Sequence, residues 1–321
     1  MNYKLSRRRF GQLALAGTVA SGLSYLGNKA FAQTPSLNIP NLNIVGIGSS
    51  SIITTDQTVV PEVNITESDD STAPNIVPTV IKPLGLVLQS LITGNSQVLG
   101  DQVLGDKSTP LLEPNEILSG FTSLTDGTLV VAITPVTTSR RQATPTRITF
   151  LGTPVKTLIV SGLKRNQQLG SLLGTIDGRL IGLVGKKNGT PPIVLVDIDL
   201  QTGEISPISK VKFPNDERVS NLAECPDGKL YTSLLGLNGD TTLVQLDSNQ
   251  KKPIGLAQLK VDDKAWNNGL QSLVCSATGQ LLAFGAMRYE TPNAVYSVDK
   301  NSGNMTRLQD FDTTQITLAR S

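Results

Sequence analysis

Four tight turns recur along the chain after residue 120 at a nearly constant spacing. Their glycines lie at intervals of 51, 50 and 51 residues, at Gly127, Gly178, Gly228 and Gly279. Each turn separates two short apolar runs, as in the segment Ser220–Tyr231. Glycine adopts positive φ at no steric cost and aspartate bonds its own backbone, so Asp-Gly is a hairpin-turn signal. The sequence therefore predicts repeats of about 50 residues, each begun by a β-hairpin.

Each repeat continues in the same way after its hairpin. A third apolar strand ends near an aspartate (Asp197, Asp247 or Asp299), a second turn follows, and a fourth strand closes the unit. One four-stranded sheet cannot bury both of its faces, whereas sheets packed side by side can. The pattern predicts an all-β fold, a β-propeller of four-stranded blades. The aspartates of the Asp-Gly turns are interpreted as structural turn residues and not as repeated calcium ligands.

The sequence of one repeat resembles repeats of known proteins. Pro226–Tyr231, followed by Leu246-Asp247, resembles repeats of secreted bacterial propellers of the NHL, YVTN and SMP-30/gluconolactonase-like kind. The resemblance covers residues 119–311 and does not select one of these families. It implies a propeller with a ligand site at one mouth of the central channel.

The two ends of the repeat region set the expected number of blades. Gln315–Arg320 occupies the place of a first strand with no second strand after it, so we expect it to complete a blade begun by N-terminal residues and to close the ring. Gln89-Ser90-Leu91 matches Gln271-Ser272-Leu273 and indicates a blade over 84–118. With the four clear repeats the count is six, or five if residues 33–82 form a linker. The repeats occupy 83–321, and 33–82 is a degenerate blade or a linker.

The first 32 residues have the pattern of an export signal. Ser6-Arg7-Arg8-Arg9-Phe10 precedes a weakly apolar run, and Ala30 and Ala32 place small residues before a cleavage point. The motif closely resembles a twin-arginine signal. It predicts a mature chain that starts near Gln33, in the periplasm or outside the cell. The apolar run is short and interrupted by glycine, so no membrane span is expected after cleavage.

Composition excludes several classes of function. The chain contains no histidine, which removes Ser-His-Asp and Cys-His catalytic sets and histidine-ligated zinc. Outside residues 1–32, which hold five basic residues and no acid, 23 basic residues face 26 acidic ones, a net charge of −3. Nucleic acid is therefore not an expected partner.

The two cysteines occupy nearly equivalent places in adjacent repeats. Cys225 lies three residues before its turn glycine, and Cys275 lies four before its own. Side chains alternate along a strand, so this offset predicts that the two thiols face opposite sides of their sheets. On that argument the sequence speaks against a disulfide, although the expected compartment is oxidising.

The candidate ligand site lies in the links between blades. These links hold carboxylates, amides, an arginine and the only tryptophan: Asn215, Asp216, Glu217, Arg218, Asp262, Asp263, Trp266, Asn267 and Asn268. Trp266 is a candidate for stacking on a ring or for a wedge between blades. The four acids are candidate oxygen ligands for a hard cation such as calcium. Basic residues elsewhere, including Arg288, would favour an anionic ligand if they share the mouth, but they are interpreted as ordinary solvated loop charge.

Three functions remain open at this stage. The first is an exported propeller that binds a protein or small ligand at the channel mouth, because no catalytic set is recognised. The second is a metal-dependent lactonase- or esterase-like hydrolase, which the repeat resemblance and the acidic loops suggest. The third is a structural role in the cell envelope.

Overall fold

We analysed a computed structural model of the chain. The residues that it describes are 42–49, 84–91, 98–103, 112, 115–136, 145–152, 154–187, 189–214, 216–247, 252–311 and 313–320. The signal-like segment 1–32 and most of 33–82 lie outside these ranges. No helix that could cross a membrane occurs in the described part of the chain.

All regular structure in these ranges is β. The N-terminal strands are β1 (Leu42–Ser49), β2 (Leu84–Leu91) and β3 (Val98–Val103). The next four are β4 (Glu116–Ser123), β5 (Leu129–Pro135), β6 (Arg147–Leu151) and β7 (Lys156–Ile159). They are followed by β8 (Gln167–Gly174), β9 (Leu180–Lys186), β10 (Ile193–Ile198) and β11 (Ile205–Val211). Then come β12 (Arg218–Glu224), β13 (Leu230–Leu235), β14 (Thr241–Leu246) and β15 (Ile254–Gln258). A short hairpin follows, β16 (Lys260–Val261) and β17 (Lys264–Ala265). The last strands are β18 (Ser272–Cys275), β19 (Leu281–Gly285), β20 (Ala294–Val298), β21 (Met305–Asp310) and β22 (Gln315–Leu318).

Four blades of a β-propeller are built from consecutive strands. Blade 1 is β4–β7, blade 2 is β8–β11, blade 3 is β12–β15 and blade 4 is β18–β21, and all neighbouring strands are antiparallel. These are the four repeats that the turn spacing predicts. The first strands of successive blades lie side by side, and the second strands, such as β9 and β19, are almost wholly buried.

A further four-stranded sheet joins the two ends of the described chain. Its strand order is β22-β1-β2-β3, and Ile44 pairs with Leu318. We call it the composite sheet. Ile44 packs against blade 4, while Val45 and Ile47 pack against blade 1. The strand β22 contacts the first strands of both of those blades.

The predicted count of six blades, or of five, is wrong, since the structure has four blades of consecutive strands. The segment 84–118 does not begin a blade of its own. Its strand β2, which contains Gln89-Ser90-Leu91, takes the third place in the composite sheet. The three-residue match to the start of β18 therefore misplaced it, because the same apolar alternation suits a strand in any position of a sheet.

The Asp-Gly turns are structural, as expected. In the first of them Gly127 has φ 83°, its N–H donates to Leu124 O at 3.1 Å, and Asp126 Oδ1 accepts from Thr128 N at 2.9 Å. The hydrogen bond from the Thr128 N–H holds the pKa of Asp126 below its ordinary value. The carboxylate is thus engaged in its own turn.

Neighbouring blades are also joined through backbone at their outer strands. Lys260, which follows the fourth strand of blade 3, donates its N–H to Gly303 O at 3.0 Å, in the turn before the fourth strand of blade 4. Gly203 makes the same contact with Ser161 between blades 1 and 2, at 3.0 Å. Both glycines have φ near 75°. A Cβ on Gly203 would lie 2.6 Å from Ile159 O, and one on Gly303 would overlap Gln258 O. Only glycine fits these junctions.

We predict that Gly303→Ala destabilises the protein far more than Gly228→Ala. Both glycines have φ 73°, so both variants share a conformational cost of about 1 kcal/mol. Around Gly228 a Cβ meets nothing within 4 Å, whereas at Gly303 it meets backbone of the neighbouring blade. We expect a further loss of about 2–3 kcal/mol for Gly303→Ala from overpacking. Urea unfolding of the two variants measures the difference, and equal losses would contradict the tight junction.

A disulfide joins blades 3 and 4, which corrects the expectation from sequence. Cys225 and Cys275 are bonded, with their Cα atoms 5.1 Å apart. The turn bonds show that Cys225 is equivalent to Ser276, not to Cys275, because Gly228 N donates to Cys225 O and Gly279 N to Ser276 O. The thiols do start from opposite faces of their sheets. Stacked blades bring the forward face of one sheet against the rear face of the next, so opposite faces are the ones that meet.

Candidate functional site

The two faces of the propeller are built differently. The first strand of every blade ends at an Asp-Gly or Thr-Gly turn, and we call this side the turn face. The opposite side carries the links between blades and the connections between second and third strands, and we call it the loop face. The loop face holds the longer and more varied segments, so it is where side chains of different blades can converge on a ligand.

The cavities between the first strands of the blades are small. One apolar residue from each first strand lines the larger of them, and we call this set the collar: Phe121, Leu172, Leu222, Leu273 and Ile316. A cavity of about 40 Å³ lies on the loop-face side of this collar and one of about 20 Å³ lies on the turn-face side. Spaces of this size hold a few water molecules at most. The channel is therefore not a ligand-binding tunnel.

Polar residues precede the collar and bridge adjacent blades. Asn221, with φ 62°, donates from Nδ2 to Leu270 O at 2.7 Å. Ser272 Oγ accepts from Ile316 N at 2.9 Å. Sequence reasoning missed this layer, although aligning the repeats on the residue before each collar position shows a small or polar residue every time. These hydrogen bonds fix the blades relative to one another.

The turn-face end of the channel is capped by a half-buried arginine. Arg320 Nη1 donates to Thr175 O at 3.1 Å, and burial lowers the pKa of its guanidinium from the ordinary value. Glu224 lines the same cavity and accepts from Ile176 N at 2.6 Å. The charged groups here are committed to protein contacts.

An open cleft of about 290 Å³ lies on the loop face between blades 3 and 4. We call it the loop-face cleft. Its lining consists of Asp216, Arg218, Leu235, Gly236, Leu237, Asn238, Gly239, Asn267, Asn268 and Arg288. A second hollow of about 430 Å³ shares Asp216 and the loop 236–238 with it and adds two further acids, Glu217 and Asp240. The loop 236–238 thus separates a basic cleft from an acidic one.

Four of the residues predicted from the sequence line the loop-face cleft together: Asp216, Arg218, Asn267 and Asn268. Glu217 lines the neighbouring hollow. The two asparagines also hold the wall of the cleft, since Asn267 Oδ1 accepts from Arg288 N at 2.9 Å and Asn268 Nδ2 donates to Ala286 O at 3.0 Å. Asn268 Oδ1 also accepts from Gly269 N at 3.0 Å, and both asparagines are exposed residues.

The other predicted residues lie elsewhere. Asp262 and Asp263 form the turn of the β16–β17 hairpin at φ 48° and 61°, and they line neither hollow. Trp266 has 0% exposure and packs edge-on against Tyr296 with ring centroids 5.2 Å apart, so it is a core residue and does not stack on a ligand. Asn215 lies outside the described residues.

Arg288 belongs to the cleft, although sequence reasoning set it aside. It follows β19 and lines the cleft together with Arg218 of the neighbouring blade. One sequence does not predict that these two arginines line the same cleft, because they are far apart in the chain.

The predicted acids do not form one cluster. Asp216 and Glu217 border the cleft region, whereas Asp262 and Asp263 sit on the separate hairpin. Within the described ranges no group of three or more acidic, cysteine or histidine side chains is arranged to hold a metal ion.

Comparison with known proteins finds only distant structural likenesses. The structure is similar to an oligogalacturonate lyase in complex with manganese, at 13% identity and a TM-score of 0.40, covering 72% of this chain and 62% of the lyase. It is similar to AofleA from Arthrobotrys oligospora at 11% identity and a TM-score of 0.45, covering 73% and 67% of the two chains. For Trypanosoma rangeli sialidase the identity is 7% and the TM-score 0.42, with 68% and 42% covered.

The chain thus spans less than two thirds of the length of the lyase and of the sialidase. No family model matches the sequence. A search of curated proteins likewise finds no relative.

Proposed function

We propose that this protein is an exported β-propeller that binds a protein or small ligand in the loop-face cleft. The observation that carries the proposal is that side chains from different blades line one cleft. Asp216, Arg218, Asn267 and Asn268 come from two different blades and line one open hollow. A concave site with a few convergent polar groups is the usual form of a ligand pocket. The cavities between the first strands are too small for such a ligand, whereas the loop-face cleft is open.

The composite sheet is proposed to close the ring between blade 4 and blade 1. Support comes from its two faces, which pack against blade 4 on one side and blade 1 on the other. Two hydrogen bonds add to this, from Ser123 Oγ to Leu318 O at 2.5 Å and from Ile316 N to Ser272 Oγ at 2.9 Å. Closure would leave no open blade face at the junction of the two chain ends.

Export through the twin-arginine route is proposed from Arg7, Arg8 and Phe10, with cleavage after Ala32. The disulfide supports an oxidising destination, because such bonds persist mainly outside the cytoplasm. Replacing Arg7 and Arg8 with lysine is expected to hold the protein in the cytoplasm as an uncleaved precursor. Undiminished export of that variant, measured by fractionation and immunoblot, would refute this route.

Native mass spectrometry of the exported protein, combined with metal analysis, tests the binding function. We expect a non-covalent adduct that is absent from Asn238→Trp, which fills the cleft rim with an exposed indole. Gln201→Trp, a matched exposed change on a turn between third and fourth strands, should retain it. An adduct that survives Asn238→Trp, or a wild-type protein that carries nothing after purification in low salt, would count against the proposal.

The metal-dependent hydrolase is the second candidate. Asp216, Glu217 and Asp240 border one hollow and carboxylate oxygens suit calcium, but these described acids are not grouped as a metal site. Stoichiometric calcium that is lost in Asp216→Asn, together with hydrolysis of a lactone panel, would favour it over the binding module. A metal-free protein with no such hydrolysis would favour the binding module or the envelope role.

A further inference from the structure

We infer that the loop-face cleft takes a carboxylate-bearing ligand with an adjoining apolar group, held by Arg218 and Arg288. This inference rests on the proposed binding function and specifies its ligand class. Guanidinium groups bind carboxylates through paired hydrogen bonds, which gives both attraction and a defined orientation. The ligand chemistry is the same whether the carboxylate belongs to a small molecule or to an acidic side chain of a peptide.

Arg218 is held in place by backbone contacts on both sides. It is the first residue of β12 and pairs with Leu235 of β13. The next residue, Val219, donates its N–H to Gly189 O of blade 2 at 3.1 Å. The base of the side chain is therefore fixed, while the residue itself is exposed.

The segment that carries Arg288 is positioned by hydrogen bonds to Asn267 and Asn268. The Arg288 N–H donates to Asn267 Oδ1 at 2.9 Å, and Asn268 holds Ala286 two residues before it. A turn bond from Glu290 N to Met287 O at 2.9 Å fixes the segment beyond. Both arginines thus line the same hollow from hydrogen-bonded backbone.

The cleft has more positive than negative charge. Neither Arg218 nor Arg288 forms a salt bridge within the described residues, whereas Arg147, Arg179 and Arg307 each do. The one acid in the lining, Asp216, is exposed and forms no salt bridge there either. The lining therefore has a net charge of +1, whereas the residues after 32 carry a net charge of −3. An anionic group would compensate this charge.

Two large apolar side chains stand exposed beside the arginines. Leu237 lines the cleft and is 80% exposed, and Tyr289 is 94% exposed. Tyr289 also has φ 70°, a conformation that side chains other than glycine rarely adopt. An outlier of this kind at an exposed position is a reason to suspect a binding role. The Arg288 guanidinium lies 5.6 Å from the Tyr289 ring centroid, so the charged and apolar features are adjacent.

The test compares two probes that differ in charge alone. N-acetylphenylalanine carries a carboxylate beside an aromatic ring, and its amide carries the same ring without the charge. A peptide of alternating glutamate and phenylalanine, amidated at its C-terminus, represents the protein source. We expect the acid to bind, measured by calorimetry or by NMR shifts of Arg288 and its neighbours, and the amide to bind at least tenfold more weakly. Tighter binding of the acid than of the peptide would identify a small molecule as the source of the carboxylate. Tighter binding of the peptide would identify an acidic side chain of a protein.

Arg218→Gln and Arg288→Gln are each expected to weaken the acid about tenfold, and raising the salt concentration should weaken it further. Arg165→Gln is the matched control, because it removes an equally exposed arginine from the link between blades 1 and 2. Equal affinity for acid and amide, an equal loss in Arg165→Gln, or no binding of the acid or the peptide would overturn the inference. A neutral adduct in the native mass spectrum that depends on the cleft would overturn it too, while leaving the binding function intact.

Discussion

Deleting residues 312–321 is expected to abolish the cooperative unfolding transition of this protein. The deletion removes β22, whose Ile316 is 1% exposed and whose partners include β1 and the first strands of blades 1 and 4. The apolar faces that β22 covers would meet water, at a cost comparable with the whole free energy of unfolding of a typical domain, about 5–15 kcal/mol. Circular dichroism during heating and limited proteolysis measure the outcome.

A point variant tests whether the contacts of β22, and not the length of the chain, are what the protein needs. Ile316→Asp places a charge among buried apolar groups and should cost about 3–5 kcal/mol. Thr314→Asp, at an exposed position two residues earlier, should change the free energy of unfolding by no more than about 0.5 kcal/mol. An unchanged melting temperature after the deletion would refute closure by β22.

Removing the disulfide is expected to cost about 4 kcal/mol of unfolding free energy. Cys225 and Cys275 are 50 residues apart, and a loop of that length restricts the unfolded chain by about this amount. The measurement is urea unfolding of the exported protein with and without a thiol reductant. The wild type should lose stability in the reductant.

The double variant Cys225→Ala with Cys275→Ala provides the control. It should be as unstable as the reduced wild type, apart from small packing differences, and should not respond to reductant. Alkylation of unreduced, unfolded wild type should modify neither thiol. Two modified thiols in that experiment would contradict the bond, and would also remove its support for an oxidising destination.

The elements that depend on local chemistry could be predicted from the sequence. The Asp-Gly turns, the order of strands in the four repeats and the pairing of Gln315–Leu318 with an N-terminal strand follow from turn residues and apolar runs. The blade count could not, because Gln89-Ser90-Leu91 fits a first strand and a third strand equally well. The position of a strand within a sheet depends on its neighbours, which one sequence does not identify.

The site was predicted in part for the same reason. Asp216 and Arg218 lie near Asn267 and Asn268 because blades 3 and 4 are adjacent, which the repeat register implies. Trp266 is also in a link, yet it turns inward to Tyr296, and its burial could not be inferred from a position between strands. The error on the cysteines has a general cause. Alternation predicts which face a side chain takes, but the stacking of sheets determines which faces meet.

The composite sheet has a consequence for the rate of folding. Ile44 and Leu318, which pair in it, are 274 residues apart, so the sheet can assemble only after almost the whole chain has been synthesised. Contacts of such long range form slowly, because the entropy of closing the loop is lost before the contact stabilises anything. Until then, blades 1 and 4 each present an uncovered apolar face that other chains can bind. The period between synthesis and completion of this sheet is therefore when the protein is most exposed to aggregation.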